Sequence, residues 1–174
     1  MSDRTAYVDV FLDALREADV TIAAALPESH FKTLYHRLEN TEGIHYVPVS
    51  SESELPGIVC GAYLGGKRAV MIMENSGLRQ ACEALARLTR FGLPMVMLMP
   101  FRGDLGEANW WAHNHRETME PILEALRIPF WYVRRLHEVK SAVRRAYVHA
   151  NSSMWPIALI FTDETLENAD RAAN

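Results

Sequence analysis

The chain has 174 residues, enough for one domain with a proper core and too few for two comfortable ones. Hydrophobic residues make up 49% and charged residues 23%, with a formal net charge of -4, so no basic surplus argues for nucleic acid. The apolar runs stop short of bilayer length, and the opening residues Met1 to Ala6 lack a basic-then-apolar signal pattern, so a cytoplasmic protein with no membrane partner is expected.

Val8, Phe11, Leu12 and Leu15 stand at helical spacing and precede a short apolar run, Val20 to Ala25, read as a strand. A turn at Leu26 to Ser29 leads into a helix from Phe31 to Leu38, and Asn40 to Gly43 lead to a strand over His45 to Val49. Glu52 follows that strand and opens a helix whose Gly57 and Gly61, four residues apart, share one face and are expected to admit a neighbouring backbone. Gly65 and Gly66 end it. A strand over Ala69 to Met73, the loop Glu74 to Gly77, and a helix carrying Ala81, Leu85 and Leu88 come next. Met95 to Met99 is apolar throughout, as suits a parallel strand covered on both faces. Beyond it, Pro100 to about Glu117 reads as a long polar and aromatic loop, Met119 to Leu126 as helix, Phe130 to Val133 as strand, Glu138 to His149 as helix and Pro156 to Phe161 as a last strand. Helices between six strands predict one α/β domain over 1–174, a doubly wound, mostly parallel sheet with helices on both faces and a frayed polar tail after about 163. Cys60 and Cys82 lie among apolar residues without a C-x-x-C partner and are read as reduced core residues.

In such sheets ligands gather outside the carboxyl ends of the strands. The segments there are Pro27 to Ser29, Glu52, Asn75 to Gly77, and Arg102 with His113 and His115. Glu52 and Glu54 complement a helix N-terminus, which is a common and modest use of an acid. Asn75, Ser76 and Gly77 offer backbone N–H groups to an anion or heterocycle but are too few for a Walker loop or a Rossmann glycine fingerprint. His113 and His115, two apart without a clear carboxylate or cysteine partner, make a poor zinc site, so no metal ligands are assigned within this chain. Arg102 either grips an anion bidentately or is solvated; the sequence weighs the two evenly.

Taken in order, these pieces resemble the pyrimidine-binding domain of thiamine-diphosphate enzymes, and more narrowly the α subunits of sulfopyruvate and phosphonopyruvate decarboxylases. The pieces are the Pro27–Ser29 turn, the Glu52 helix with glycines five and nine residues on, Asn75 to Leu78, Arg102–Gly103, and Leu123 to Pro129. The resemblance implies a 2-oxo acid decarboxylase in which Glu52 hydrogen-bonds a ring nitrogen of the cofactor's aminopyrimidine, with Glu54 as the alternative register. It implies cofactor contacts from Asn75, Ser76, Gly77 and Leu78, substrate contacts from Pro27, Ser29 and Arg102, and a proton relay through His113 or His115. A small, doubly anionic 2-oxo acid is the implied substrate, with an aldehyde and carbon dioxide as products.

The family also needs a Gly-Asp-Gly motif and a downstream asparagine to hold the diphosphate and Mg²⁺, and this sequence has neither; Gly103 to Gly106 lies after the wrong strand. A separate β subunit carrying that site, and hence a hetero-oligomer, is therefore expected. Two departures from the α-subunit pattern fall near the substrate: Glu74 where an amide is expected, and Trp110 to His115 in place of a shorter acidic stretch. The alternative is a non-catalytic regulatory or structural module that keeps the same fold.

Overall fold

A computed structural model of the protein describes residues 6–166. The helices are α1 (Ala6–Glu17), α2 (Lys32–Leu38), α3 (Leu55–Leu64), α4 (Leu78–Leu88), α5 (His113–Ala125) and α6 (Val139–Ser153). They alternate with strands β1 (Ile22–Ala25), β2 (His45–Pro48), β3 (Ala69–Ile72), β4 (Val96–Pro100), β5 (Phe130–Val133) and β6 (Ile157–Phe161). Every strand pairing is parallel, in the order β2-β1-β3-β4-β6-β5, so the sheet is wholly rather than mostly parallel.

Strand alternation divides the core into two layers. Val70 and Ile72 of β3 and Val96 and Leu98 of β4 face the side covered by α1, α2 and α6, where Phe11, Leu34 and Val143 are fully buried. Met71, Met73, Met97 and Met99 face the other side, against Leu55 and Val59 of α3, Leu85 of α4 and Leu123 of α5. Flexible methionines fill that second layer without demanding a single shape from the helices. Cys60 is buried there with its Sγ 3.6 Å from the Met95 sulfur, whereas Cys82 is only partly buried.

Three expectations change. Gly57 and Gly61 admit no neighbouring backbone: both are exposed, and a Cβ on either would meet nothing within 4 Å. Leu55, Pro56, Val59 and Cys60 turn to the core instead, so the glycine face points outward. The loop after β4 is also shorter than expected, because α5 begins at His113 and His113 and His115 are helical. Pro121 fits a first turn and so favours a late start, but it stands in mid-helix, where it removes the hydrogen bond to the Glu117 carbonyl. Finally, residues 163–166 form a helical turn in which Thr165 is buried and donates to the Val133 carbonyl, so fraying does not begin at 163; the rest of the predicted tail lies outside the described residues.

Among the described residues no helix is long and apolar enough to cross a membrane.

Candidate active site

The strand order reverses between β1 and β3, and the loops that follow these strands stand side by side at the carboxyl edge, the usual ligand crevice of an open parallel sheet. Glu52 opens a short 3₁₀ turn, residues Glu52–Glu54, after β2. That turn is fixed by a capping box: the Ser51 hydroxyl accepts from the Ser53 N–H, and Glu54 accepts from the Ser51 N–H at 2.8 Å. Glu54 also takes the Ser50 hydroxyl at 2.9 Å, so its carboxylate is committed to the cap. Glu52 accepts no hydrogen bond among the described residues, which makes it the free acid of the pair.

Gly77 explains where Glu52 lies. A Cβ built on Gly77 would stand 2.5 Å from both Cγ and Oε1 of Glu52, far inside contact distance. The glycine is needed for the approach of the acid, since its φ of -68° suits any residue. This is a side-chain contact at a loop glycine, not the backbone approach that the spacing of Gly57 and Gly61 suggested.

The loop Asn75–Gly77 is tied across the edge to the next one. The fully buried Asn75 donates its amide to the Arg102 carbonyl and accepts the Arg102 N–H, both at 2.9 Å. Its side chain is thus consumed in joining the ends of β3 and β4, and the Ser76 hydroxyl donates to Glu74 at 2.7 Å. Gly77 and Leu78 are buried. Of the four residues expected to touch cofactor, the structure gives Gly77 the clearest task, which is to admit Glu52.

Glu74, just ahead of that turn, is the centre of a charge cluster. Its carboxylate lies 3.5 Å from Arg102 Nε, 3.5 Å from His115 Nδ1 and 3.9 Å from His30 Nδ1. Arg102 reaches Glu107 at 3.4 Å, donates from Nη2 to the Ser29 hydroxyl at 3.1 Å, and stands over the Trp111 ring at 5.4 Å. Gly103, with φ of +92°, lets this loop lie against the start of α5; a Cβ there would meet the Ala112 carbonyl at 2.7 Å. His115 is buried in the cluster, whereas His113 is exposed. Residues two apart on a helix point about 200° apart, so only one of them can face the crevice. Pro27 is exposed beside Ser29.

Burial pushes the His115 imidazole below its ordinary value, with Glu74 opposing and Arg79 and Arg102 assisting, so it is neutral at pH 7. His30 goes the other way: burial alone would lower it, but Asp163 and Glu28 outweigh that and raise it to about 9. Burial would raise Glu28, yet the side chain and N–H of His30 and the N–H of Phe31 hold it lower than usual. The Asn109 N–H holds Glu107 down at about 2, with Arg102 contributing. Glu28, His30 and Glu74 bring three potential ligand atoms within 4.8 Å of one another. A protonated His30 is a poor metal ligand, and the Glu28 oxygens already accept two backbone N–H groups and the Tyr35 hydroxyl.

Sequence reading missed His30, Glu28 and Glu107 as members of the site and noticed Glu74 only as a departure. Glu28 and His30 flank Ser29 after β1, a position that could have flagged them.

No known protein-family model matches the chain. Over 150 residues it is 28% identical to the sulfopyruvate decarboxylase subunit alpha of Methanocaldococcus jannaschii, covering 86% of this chain and 89% of that one. The chain is similar to sulfopyruvate decarboxylase α subunits over most of its length. It is also 31% identical over 96 residues to phosphonopyruvate decarboxylase of Streptomyces viridochromogenes, a match that takes in 55% of this chain and 24% of that enzyme. The doubly wound α/β fold is shared with benzoylformate decarboxylase from Polynucleobacter necessarius, at a TM-score of 0.69 and 18% identity. That alignment covers 94% of this chain and 30% of the larger protein, so the fold found here is one part of what the benzoylformate enzyme contains.

Proposed function

We propose that the chain is the α subunit of a cytoplasmic, thiamine-diphosphate-dependent 2-oxo acid decarboxylase whose β subunit holds the diphosphate and Mg²⁺. The observation that carries this reading is Glu52: a partly exposed carboxylate at the carboxyl edge of the sheet, seated over Gly77 and free of internal hydrogen bonds among the described residues. A carboxyl group in that state can share a proton with a ring nitrogen of an aminopyrimidine, while Glu54, bound into its cap, cannot do so without undoing the turn. When bound, thiamine diphosphate supplies the carbon nucleophile and the electron sink for loss of carbon dioxide. Glu52 would hold the proton that tunes the cofactor's amino group, and the loop ending at Gly77 would fix where that proton is held. His115, neutral and facing Glu74, is the better of the two expected histidines for moving a proton at the substrate, since His113 is turned away.

A separate β subunit is supported by the lack of a diphosphate clamp in the loop after β4. Asp104, the acid of the sequence Gly103 to Gly106, lies 3.9 Å from Arg116, and that loop carries no downstream asparagine at the spacing a diphosphate clamp requires. The outward face of α3, with exposed Gly57, Gly61 and Leu64, offers a surface on which another chain can come close.

The test is Glu52→Gln in the complex reconstituted with the product of a neighbouring gene that carries the Gly-Asp-Gly motif. Glutamine keeps the shape and loses the shared proton, so decarboxylation should fall by about 10²- to 10⁴-fold while assembly and thermal stability hold. Exchange of the thiazolium proton for deuterium should slow in parallel. Wild-type turnover by both Glu52→Gln and Glu54→Gln would leave a non-catalytic module as the better reading.

A further inference from the structure

At the mouth between β1 and β3, four carboxylates, Glu28, Glu74, Glu107 and Asp163, face three basic side chains, His30, Arg102 and His115. Each basic group already has an internal anion at hand. Arg102 lies between Glu74 at 3.5 Å and Glu107 at 3.4 Å. His30 has Glu28 at 3.3 Å and Asp163 at 3.4 Å, and His115 has Glu74 at 3.5 Å. Arg79, the remaining cation whose field reaches His115, is exposed and hydrogen-bonded to Asn114.

Glu74 is the member that touches all three. His30 Nδ1, Arg102 Nε and His115 Nδ1 are buried atoms with no hydrogen-bond partner; the last two face Glu74 at 3.5 Å, while His30 Nδ1 lies 3.3 Å from Glu28 and 3.9 Å from Glu74. His115 as a residue is only 8% exposed. A carboxylate set against two unpartnered buried nitrogens, and sharing a third with Glu28, occupies the place a bound anion would otherwise take. A second anionic group on a substrate, whether sulfonate or phosphonate, would have to stand against Arg102 beside both Glu74 and Glu107. Juxtaposed like charges cost on the order of 10²-fold or more in affinity. An uncharged group meets no such penalty and finds the Trp111 ring, partly exposed and 5.4 Å from both the Arg102 guanidinium and the His115 ring.

We infer that Glu74 stands in for a substrate's distal anion, so that the 2-oxo acid taken by this site is charged only at its own carboxylate and carries an uncharged distal group against Trp111. This rests on the decarboxylase reading above and names its substrate class. Glu74 acts as a specificity residue by setting the charge that Arg102 presents.

The experiment uses the reconstituted αβ complex with thiamine diphosphate and Mg²⁺, in two arms. In the first, kcat/KM is measured for 2-oxobutanoate and phenylpyruvate against sulfopyruvate and phosphonopyruvate. The wild type should favour the uncharged tails, and Glu74→Gln should move the ratio toward the dianions by about tenfold or more. A wild type that prefers the dianions, or a Glu74→Gln ratio unchanged from wild type, overturns the inference. The second arm is calorimetric binding of 3-sulfopropionate, a dianion with no keto group to react. Binding by Glu74→Gln and not by wild type supports the inference even if no acid is decarboxylated, in which case the decarboxylase reading fails alone. Tight binding by wild type sinks it whatever the turnover. Should Glu74→Gln not fold, the wild-type preference and its affinity for 3-sulfopropionate decide the matter.

Discussion

Gly77→Ala isolates the contact on which the candidate site depends. Its backbone lies in the ordinary right-handed helical region, so alanine costs nothing in φ and ψ, and any effect comes from the added methyl group. That methyl would stand 2.5 Å from Glu52 Cγ and Oε1 and 2.7 Å from Cδ. Carbon atoms prefer roughly 3.5–4.0 Å, so the Glu52 side chain must retreat by about 1 Å. Overpacking of this kind costs typically about 1–3 kcal/mol, and a partly exposed side chain able to swing outward places the cost at the lower end, near 1 kcal/mol. For a chain of this length that lowers the melting temperature by about 3 °C, which differential scanning calorimetry resolves. The effect on rate is larger, because displacing a reacting group by about 1 Å can cost on the order of 10²-fold. If both substitutions act through one carboxylate, Gly77→Ala made on top of Glu52→Gln should add almost nothing to the loss in kcat/KM. Wild-type rate in Gly77→Ala, or losses that multiply in the double variant, would refute the placement of Glu52 as the working acid.

Asn75→Ala removes both bonds that join the loop after β3 to the Arg102 backbone and leaves the Arg102 N–H and carbonyl without them. With two backbone groups affected, the loss should be about 2–4 kcal/mol and the melting temperature should drop by roughly 10 °C; a change under about 2 °C would mean the clamp is not made in solution. His30 gives a pH signature. Its pKa is raised from 6.5 to about 9 in the folded chain, so its contribution to stability is complete below pH 6.5 and is lost as pH climbs through about 9. Urea midpoints of the wild type should fall between pH 7 and 10 more than those of His30→Gln, and parallel curves would show that His30 is not held protonated.

The strands were the legible part of this chain because their evidence is local. β4 is bounded by proline and buried throughout, and β5 was placed at Phe130 to Val133 with both ends right, since short apolar runs between breakers leave little choice. The position of Glu52 after β2 was legible for a similar reason, since the acid follows its strand within a few residues, although the glycines after it face outward. The partner that fixes it was not, because Gly77 earns its glycine from a side chain on another loop. Arg102 shows the limit most clearly. Its partners Ser29 and Glu74 come from loops after other strands, the first 73 residues away in sequence, so a sequence that weighs solvated against anion-binding arginine cannot see that the anion is internal. The start of α5 was placed too late, at Met119 instead of His113, because the polar and aromatic run before it reads as loop and Pro121 stands in mid-helix.

Two different demands meet at the carboxyl edge, and the sheet topology is what keeps them apart. Glu52 has to remain free of internal bonds, so its turn is stabilised by Ser51 and Glu54 instead, and a glycine clears the space beside it. The residues around Glu74 have to hold opposite charges at fixed separations, so they are drawn from loops after four strands, β1, β3, β4 and β6, and braced by the Asn75 clamp. A single loop could not do both, since freeing the acid loosens it and bracing the cluster commits side chains such as Asn75 to internal bonds. Placing the acid after the edge strand β2 and the charge cluster at the β1/β3 reversal lets the first stay open to a cofactor while the second keeps its charges balanced. On the proposed reading, proton chemistry should therefore respond to substitutions at Glu52 and Gly77, and substrate selection to substitutions at Glu74.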